Sequence, residues 1–225
     1  MSKLSQLAET LIVSEIVKLG NAISERIRSG EKIYNYTIGD FDSSIFPIPQ
    51  ELENLIVEEY QKGSTSYPPA DGVLDLRKAV STFVKEWEGL EYNVDEIQIA
   101  AGGRPLIYSL FKAIVDKGDK VIYGVPSWNN NHYVHLTDGE HCVIECSEEN
   151  DFMPSVQDIA TNIKGATLIC LCSPQNPTGT TIRKESLEEI CDLILEENKY
   201  RVDYDKKLYL MFDQMYWTLT YNKTE

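Results

Sequence analysis

Residues 166–179 read Ala166-Thr167-Leu168-Ile169-Cys170-Leu171-Cys172-Ser173-Pro174-Gln175-Asn176-Pro177-Thr178-Gly179. The first seven form a near-continuous apolar run, the mark of a strand covered on both faces. The next seven carry two prolines and a glycine, which set a sharp, rigid loop. Asn176 is held inside that loop, with its amide able to donate to a phenolate-like oxygen, and the Asn176-Pro177 bond is a candidate for the cis form. A plain rigid loop would read the same way, so the neighbours must decide.

Working outward, the same kind of run recurs. Apolar β-type segments are expected at Glu96–Ala101, Lys120–Val125, Cys142–Cys146, Ala166–Cys172 and Lys207–Phe212. Helix-like stretches lie near Pro105–Val115, Asn130–Leu136, Ser155–Ile163 and Lys184–Glu197. Strands alternating with helices imply right-handed βαβ crossovers. The expected fold is α/β, three-layered, with a mostly parallel sheet between helices. Ahead of this rhythm, residues 5–29 repeat apolar positions at helical spacing, from Leu7 to Ile27, with a break near Gly20. A short strand, Ile33 to Ile38, stops at Gly39, helices follow at Gln50–Lys62 and Gly72–Glu88, and Gly63–Pro69 is loop.

Bulk properties narrow the function. The 225 residues carry 21 Lys plus Arg against 36 Asp plus Glu, a net charge of −15. That balance lacks the clustered positive charge of a nucleic-acid footprint, and it disfavours a membrane surface. The pairs Lys206-Lys207 and Arg183-Lys184 read as solvated surface. No run of about 18 apolar residues occurs, and the first ten residues do not read as a signal peptide. The five cysteines form no CxxC pair and no zinc-type cluster, so no metal is expected and a reduced cytoplasmic protein is the simplest reading. The sequons at Asn35 and Asn222 are then chance matches.

Ligands of parallel α/β sheets bind at the carboxyl ends of the strands. After the 96–101 segment come Gly102-Gly103-Arg104-Pro105 and a helix, the outline of a phosphate site on a helix amino terminus. A tight turn would look alike. After Lys120–Val125 comes Trp128, which can stack on a flat ring or simply fill the rim. After the fifth segment come Asp213 and Tyr216. Asp213 can pair with a cationic ring nitrogen or cap the next helix. Together these residues supply an anion cradle, a ring platform, a donor to a ring oxygen and a carboxylate for a ring nitrogen, which are the parts a pyridoxal phosphate (PLP) site needs.

The chain resembles the amino-terminal part of class I/II aminotransferases of the aspartate aminotransferase type, PLP fold type I. The resemblance rests on Tyr34–Asp42, Thr65–Leu76, Ala101–Lys120, Val125–Trp128, Ser173–Gly179 and Asp213–Tyr216, in the family's order. It implies that Asp213 pairs with the pyridinium nitrogen and that Asn176 and Tyr216 hydrogen-bond the phenolic oxygen. It implies Trp128 stacking on the ring and Gly102, Gly103 and Arg104 at the phosphate. Tyr67 would reach the phosphate of the other subunit's cofactor, implying a homodimer. Gly39, Trp128 and Asn176 would also meet the substrate, an L-amino acid or its 2-oxo acid partner. Residues 1–45 would belong to a small domain, into which the helix from Leu7 to Ile27 packs, and residues 46–225 to a partial PLP-binding large domain.

One family element has no match. The Schiff-base lysine is expected well after the Asp-x-x-Tyr motif, past a further strand. Lys223 is too near Asp213 for a parallel crossover, and Lys207 starts its strand at the wrong end. The sequence therefore reads as an amino-terminal fragment, its sheet incomplete at the carboxyl end and inactive alone. Two other readings stay open: a PLP-dependent lyase or synthase of the same fold, and a non-catalytic relative that binds an effector.

Overall fold

The computed structural model describes residues 4–11, 14–37, 39, 41–202 and 206–219. It divides into two compact units, Val13–Ala100 and Met1–Ile12 with Ala101–Glu225. The short helix α1 (Gln6–Glu9), capped by the Ser5 hydroxyl accepting from the Ala8 N–H, belongs to the latter.

The unit 13–100 holds α2 (Glu15–Arg28), α3 (Gln50–Gln61) and α4 (Leu74–Glu88). Helix α2 runs through Gly20, which is buried, so the expected break there is corrected. A Cβ-free residue costs helix stability in an exposed position but suits a close-packed one. Pro49 precedes α3, where its missing N–H costs nothing. Gly89, with φ +70°, ends α4 in the left-handed conformation that glycine adopts freely.

Two expected strands of this unit are not formed. Over residues 97–101 the Ile99 N–H donates to the Asp71 carbonyl and the Gln98 amide donates to the Ala70 carbonyl. The alternation of Ile97 and Ile99 signals an extended, half-buried segment, yet its partner is the 70–72 turn instead of a strand. Over residues 33–37 the Asn35 side chain accepts from the Thr37 N–H, an Asx turn that replaces ladder bonds. Ile38 lies outside the described residues. Arg77, 8% exposed, fastens the unit by donating to Asp71 (2.8 Å) and to the Val94 carbonyl (2.9 Å).

The other unit continues with α5 (Gly103–Ile114), β1 (Lys120–Val125), α6 (Asn130–Leu136) and β2 (Glu140–Glu145). Then follow α7 (Val156–Asn162), β3 (Ala166–Cys172), α8 (Lys184–Tyr200) and β4 (Tyr209–Asp213). These bounds fall close to those read from the apolar runs. All pairings are parallel, in the order β2-β1-β3-β4.

That order dictates the layers. From β1 to β2 the chain moves one way along the sheet, and from β2 to β3 and β3 to β4 it moves the other way. Right-handed crossovers then put α6 on one face and α7 and α8 on the opposite face. The cores agree. Ile122, Ile169, Leu171, Ile159, Ile190 and Ile194 pack on the α7/α8 face. Val121, Tyr123, Leu168, Cys170, Phe111 and Val134 pack on the α5/α6 face. Strand residues alternate between the two, which is why the β3 run is apolar throughout. Each fully buried aliphatic side chain contributes roughly 2 kcal/mol.

Candidate cofactor site

β1 is flanked by β2 and β3, so the chain reverses its winding direction between β1 and β3. A crevice opens at the carboxyl ends of such a pair. The loops after β1, β3 and β4 and the start of α5 converge there.

The start of α5 is built for an anion. Gly102 has φ +102°, a backbone that side-chain-bearing residues rarely adopt, and it leaves the helix without a side-chain cap. No acidic residue stands in the first turn. Pro105 has no N–H, so the free donors of the first turn are those of Gly103 and Arg104. A Cβ on Gly103 would come 3.1 Å from Met215 Cε, which places this turn against the loop after β4.

After β1, the Val125-Pro126 bond is cis and leads to Trp128, 37% exposed. The Arg104 guanidinium stands 5.8 Å from the Trp128 ring centroid, a cation–π arrangement. One flat, partly open aromatic surface therefore adjoins the anion-binding turn.

After β3, Ser173-Pro174 and Asn176-Pro177 are both cis. Gln175, 6% exposed, donates its amide to the carbonyls of Pro126 (2.9 Å) and Phe152 (3.0 Å). That one side chain joins the loop after β1 to the loop after β3. Asn176, the next residue, donates its Nδ2 to the Tyr216 hydroxyl at 3.0 Å.

After β4, Asp213 is the register partner of Cys172, and the Ser173 N–H donates to its carbonyl at 3.0 Å. Its carboxylate accepts from the Met215 N–H at 3.1 Å. The Cys172 thiol donates to the Pro174 carbonyl. Burial pushes that thiol's pKa up, the Asn176 N–H opposes this, and the neighbouring Asp213 charge adds to it.

Of the residues singled out in the sequence, Gly102, Gly103, Arg104, Trp128, Asn176, Asp213 and Tyr216 come together. Gly39 and Tyr67 lie in the unit 13–100; Tyr67 is fully exposed and Gly39 has open space about it. Lys207, just before β4, donates to the Asn198 and Arg201 carbonyls, while Lys223 lies outside the described residues. One residue of the site was not read in advance: Gln175, hidden at the unspecified position of its motif, whose amide ties the loops together. Among the described residues no cluster of His, Cys, Asp or Glu could hold a metal ion, and no helix is long and apolar enough to cross a membrane.

Comparison with known proteins agrees with this geometry. The aspartate aminotransferase of Bacillus sp. (strain YM-2) is 28% identical over 224 residues, covering 99% of this chain and 54% of the relative. A probable aspartate/prephenate aminotransferase of Rickettsia prowazekii (strain Madrid E) is 31% identical over 179 residues, 79% of this chain and 43% of that one. The aspartate aminotransferase of Thermus thermophilus with maleate superposes with a TM-score of 0.88 at 28% identity, covering 99% of this chain and 56% of that structure. The aspartate aminotransferase from Rhizobium meliloti gives 0.87 at 25% identity, covering 99% and 54%. The chain thus spans about half the length of the relatives it matches. The family model described as aminotransferase class I and II matches residues 32–225, and the chain accordingly belongs to the class I and II aminotransferases, a family of PLP-dependent enzymes.

Proposed function

We propose that the protein carrying this chain is an aminotransferase that moves an amino group between an L-amino acid and a 2-oxo acid. Aspartate is the candidate donor, since the relatives above carry that name. The observation that carries the reading is the Asn176 Nδ2 to Tyr216 hydroxyl hydrogen bond of 3.0 Å, set beside Asp213 at the strand ends.

The donor set fits PLP. It has uncapped N–H groups and a guanidinium for a phosphate, an indole face for a ring, an amide and a phenol for a ring oxygen, and a carboxylate for a ring nitrogen. When bound, PLP supplies an electron sink for electrons released at the amino acid's α-carbon. Asp213 keeps the ring nitrogen protonated, because a carboxylate beside it favours the charged form. Asn176 and Tyr216 donate to the phenolic oxygen and hold it ionised. Trp128 keeps water from one ring face and orients the ring. The N–H groups of Gly103 and Arg104 fix the phosphate. Trp128 and Asn176 line the substrate side.

In the same reading, residues 1–45 join a small domain and residues 46–225 form part of the PLP-binding large domain. Two copies share their sites, with Tyr67 reaching the partner's cofactor phosphate, and the enzyme works in the cytoplasm. The test is a PLP titration of the full-length protein, followed by visible absorbance, with and without Asp213→Ala. A charge-assisted hydrogen bond is worth about 1.5–3 kcal/mol, so affinity should fall roughly 10- to 100-fold. Exchange of amino groups between aspartate and a 2-oxo acid should accompany the wild-type band. Absence of any saturable band, or equal affinity in the variant, would overturn the proposal.

A further inference from the structure

The loops after β1 and β3 are held in unequal ways. The loop after β3 braces itself. The Gln175 N–H donates to the Thr180 carbonyl at 2.8 Å, and the Gly179 N–H donates to the Gln175 carbonyl at 2.7 Å. The Ser173 hydroxyl accepts from the Ile182 N–H at 3.0 Å. The loop after β1 is tied more loosely. Pro126 has no N–H to give, so its carbonyl is the one backbone group that can hold it. Ser127 accepts from the Asn130 amide at 3.4 Å, longer than an ordinary hydrogen bond. Trp128 comes next, 37% exposed.

The Gln175 side chain crosses to this looser loop. It is 6% exposed, and its Nε2 stands 2.9 Å from the Pro126 carbonyl and 3.0 Å from the Phe152 carbonyl. Both partners are acceptors, so the NH2 end of the amide must face them, and each of its hydrogens has a use. β1 lies between β2 and β3, so this one amide joins the loops that leave three neighbouring strands. Trp128 is two residues past Pro126, and Asn176 is the residue after Gln175. The spacing between the indole and the Asn176 amide is therefore set across a single buried side chain. Stacking depends on where the rings stand, so a loosened loop weakens the platform without removing it.

Given the cofactor reading above, we propose that Gln175 is a positioning residue of this site, whose amide fixes the Pro126 carbonyl and so holds the Trp128 platform against the self-braced Asn176 loop. Its effect passes through Trp128 and not through contact with the cofactor.

The test is a double-mutant cycle on the PLP dissociation constant of the full-length protein, read by visible absorbance. Gln175→Met keeps the bulk of the side chain and removes both donors; affinity should fall about tenfold. In a Trp128→Ala background the same change should alter affinity by less than about twofold, because the platform it holds is gone. At saturating PLP, the visible circular dichroism per bound cofactor reports how the ring is held, and it should be smaller in Gln175→Met than in the wild type. Gln175→Asn keeps an amide on a shorter stem that cannot meet both carbonyls, and it should give the same two results if the methionine variant does not fold; wild-type affinity in Gln175→Asn would overturn the proposal. Equal losses in both backgrounds, or unchanged dichroism, would make Gln175 merely structural, and no loss in either would deny it a role. A wild-type protein without saturable PLP binding would overturn the cofactor reading itself, a result distinct from these.

Discussion

Arg104 illustrates how much one side chain adds to a backbone site. The N–H groups of the α5 start bind an anion without it, and its guanidinium is already placed over Trp128 at 5.8 Å. Its contribution is a charge near the anion rather than a fixed pair, and charge effects at exposed positions are screened by salt. Arg104→Gln should therefore weaken PLP binding at low ionic strength and converge on the wild type as salt rises, and titrations at two salt concentrations check this. Equal slopes against salt would show that the guanidinium serves only the indole. At this scale the site was legible where a residue follows a strand. Trp128, Asn176, Asp213 and Tyr216 stand just past apolar runs, where ligands of such sheets bind. Gln175 was not legible. Its role depends on the carbonyls of Pro126 and Phe152, and neither partner is near it in sequence.

Among the elements, the central strands β1 and β3 read clearly because helices on both faces bury them almost throughout, whereas the outer strand β2 is largely exposed and showed only as the shorter apolar run at 142–146. Segment 96–101 has a similar pattern but takes its hydrogen bonds from the 70–72 turn, and no local pattern reveals which partner an extended segment will find. The strand packing itself gives testable limits. A Cβ on Gly124 in β1 would stand 2.9 Å from Pro154 Cγ and 3.0 Å from Cys146 Sγ, and neither a proline ring nor a short cysteine can swing away. Gly124→Ala should cost about 1–3 kcal/mol, visible as a lower denaturant midpoint with an unchanged slope. Between β1 and β2, the Tyr123 hydroxyl lies 2.9 Å from His141 Nδ1 and donates to it when that nitrogen carries no proton. Burial, then the charge of His135, lowers the His141 pKa. For a base whose folded pKa is depressed, the unfolded chain takes up the proton first. Stability is therefore whole above about pH 6.5, the ordinary histidine value, and declines as pH falls below it toward the folded pKa. The ring is largely exposed, so the slope is shallow. Denaturation at pH 7.5 and 5.5 should show it, and His141→Gln should flatten it; an unchanged slope in that variant would assign the pH dependence to other groups.

For the molecule as a whole, the decisive feature is the sheet's margin. In the order β2-β1-β3-β4, the strand carrying Asp213 is an outer one, and among the described residues nothing pairs with its far edge. The residues along it, Leu210, Met211 and Phe212, carry no charge to repel another strand. Leu195, Tyr209, Met215 and Leu219 of the same unit are exposed. Against association stands the net charge of −15. The two effects differ in range. Strand pairing and apolar contact act on touching, whereas repulsion between exposed charges fades beyond roughly 8 Å at physiological ionic strength. Contact should win once salt is present. A polypeptide of residues 1–225 expressed alone should remain small at low ionic strength and pass into larger species as salt is raised, and it should bind PLP poorly. Size-exclusion chromatography with light scattering across a salt series reads this directly. A monomer with a cooperative thermal transition at physiological salt would mean that the β4 edge and the exposed apolar side chains need no cover, and that this half of the fold is self-sufficient.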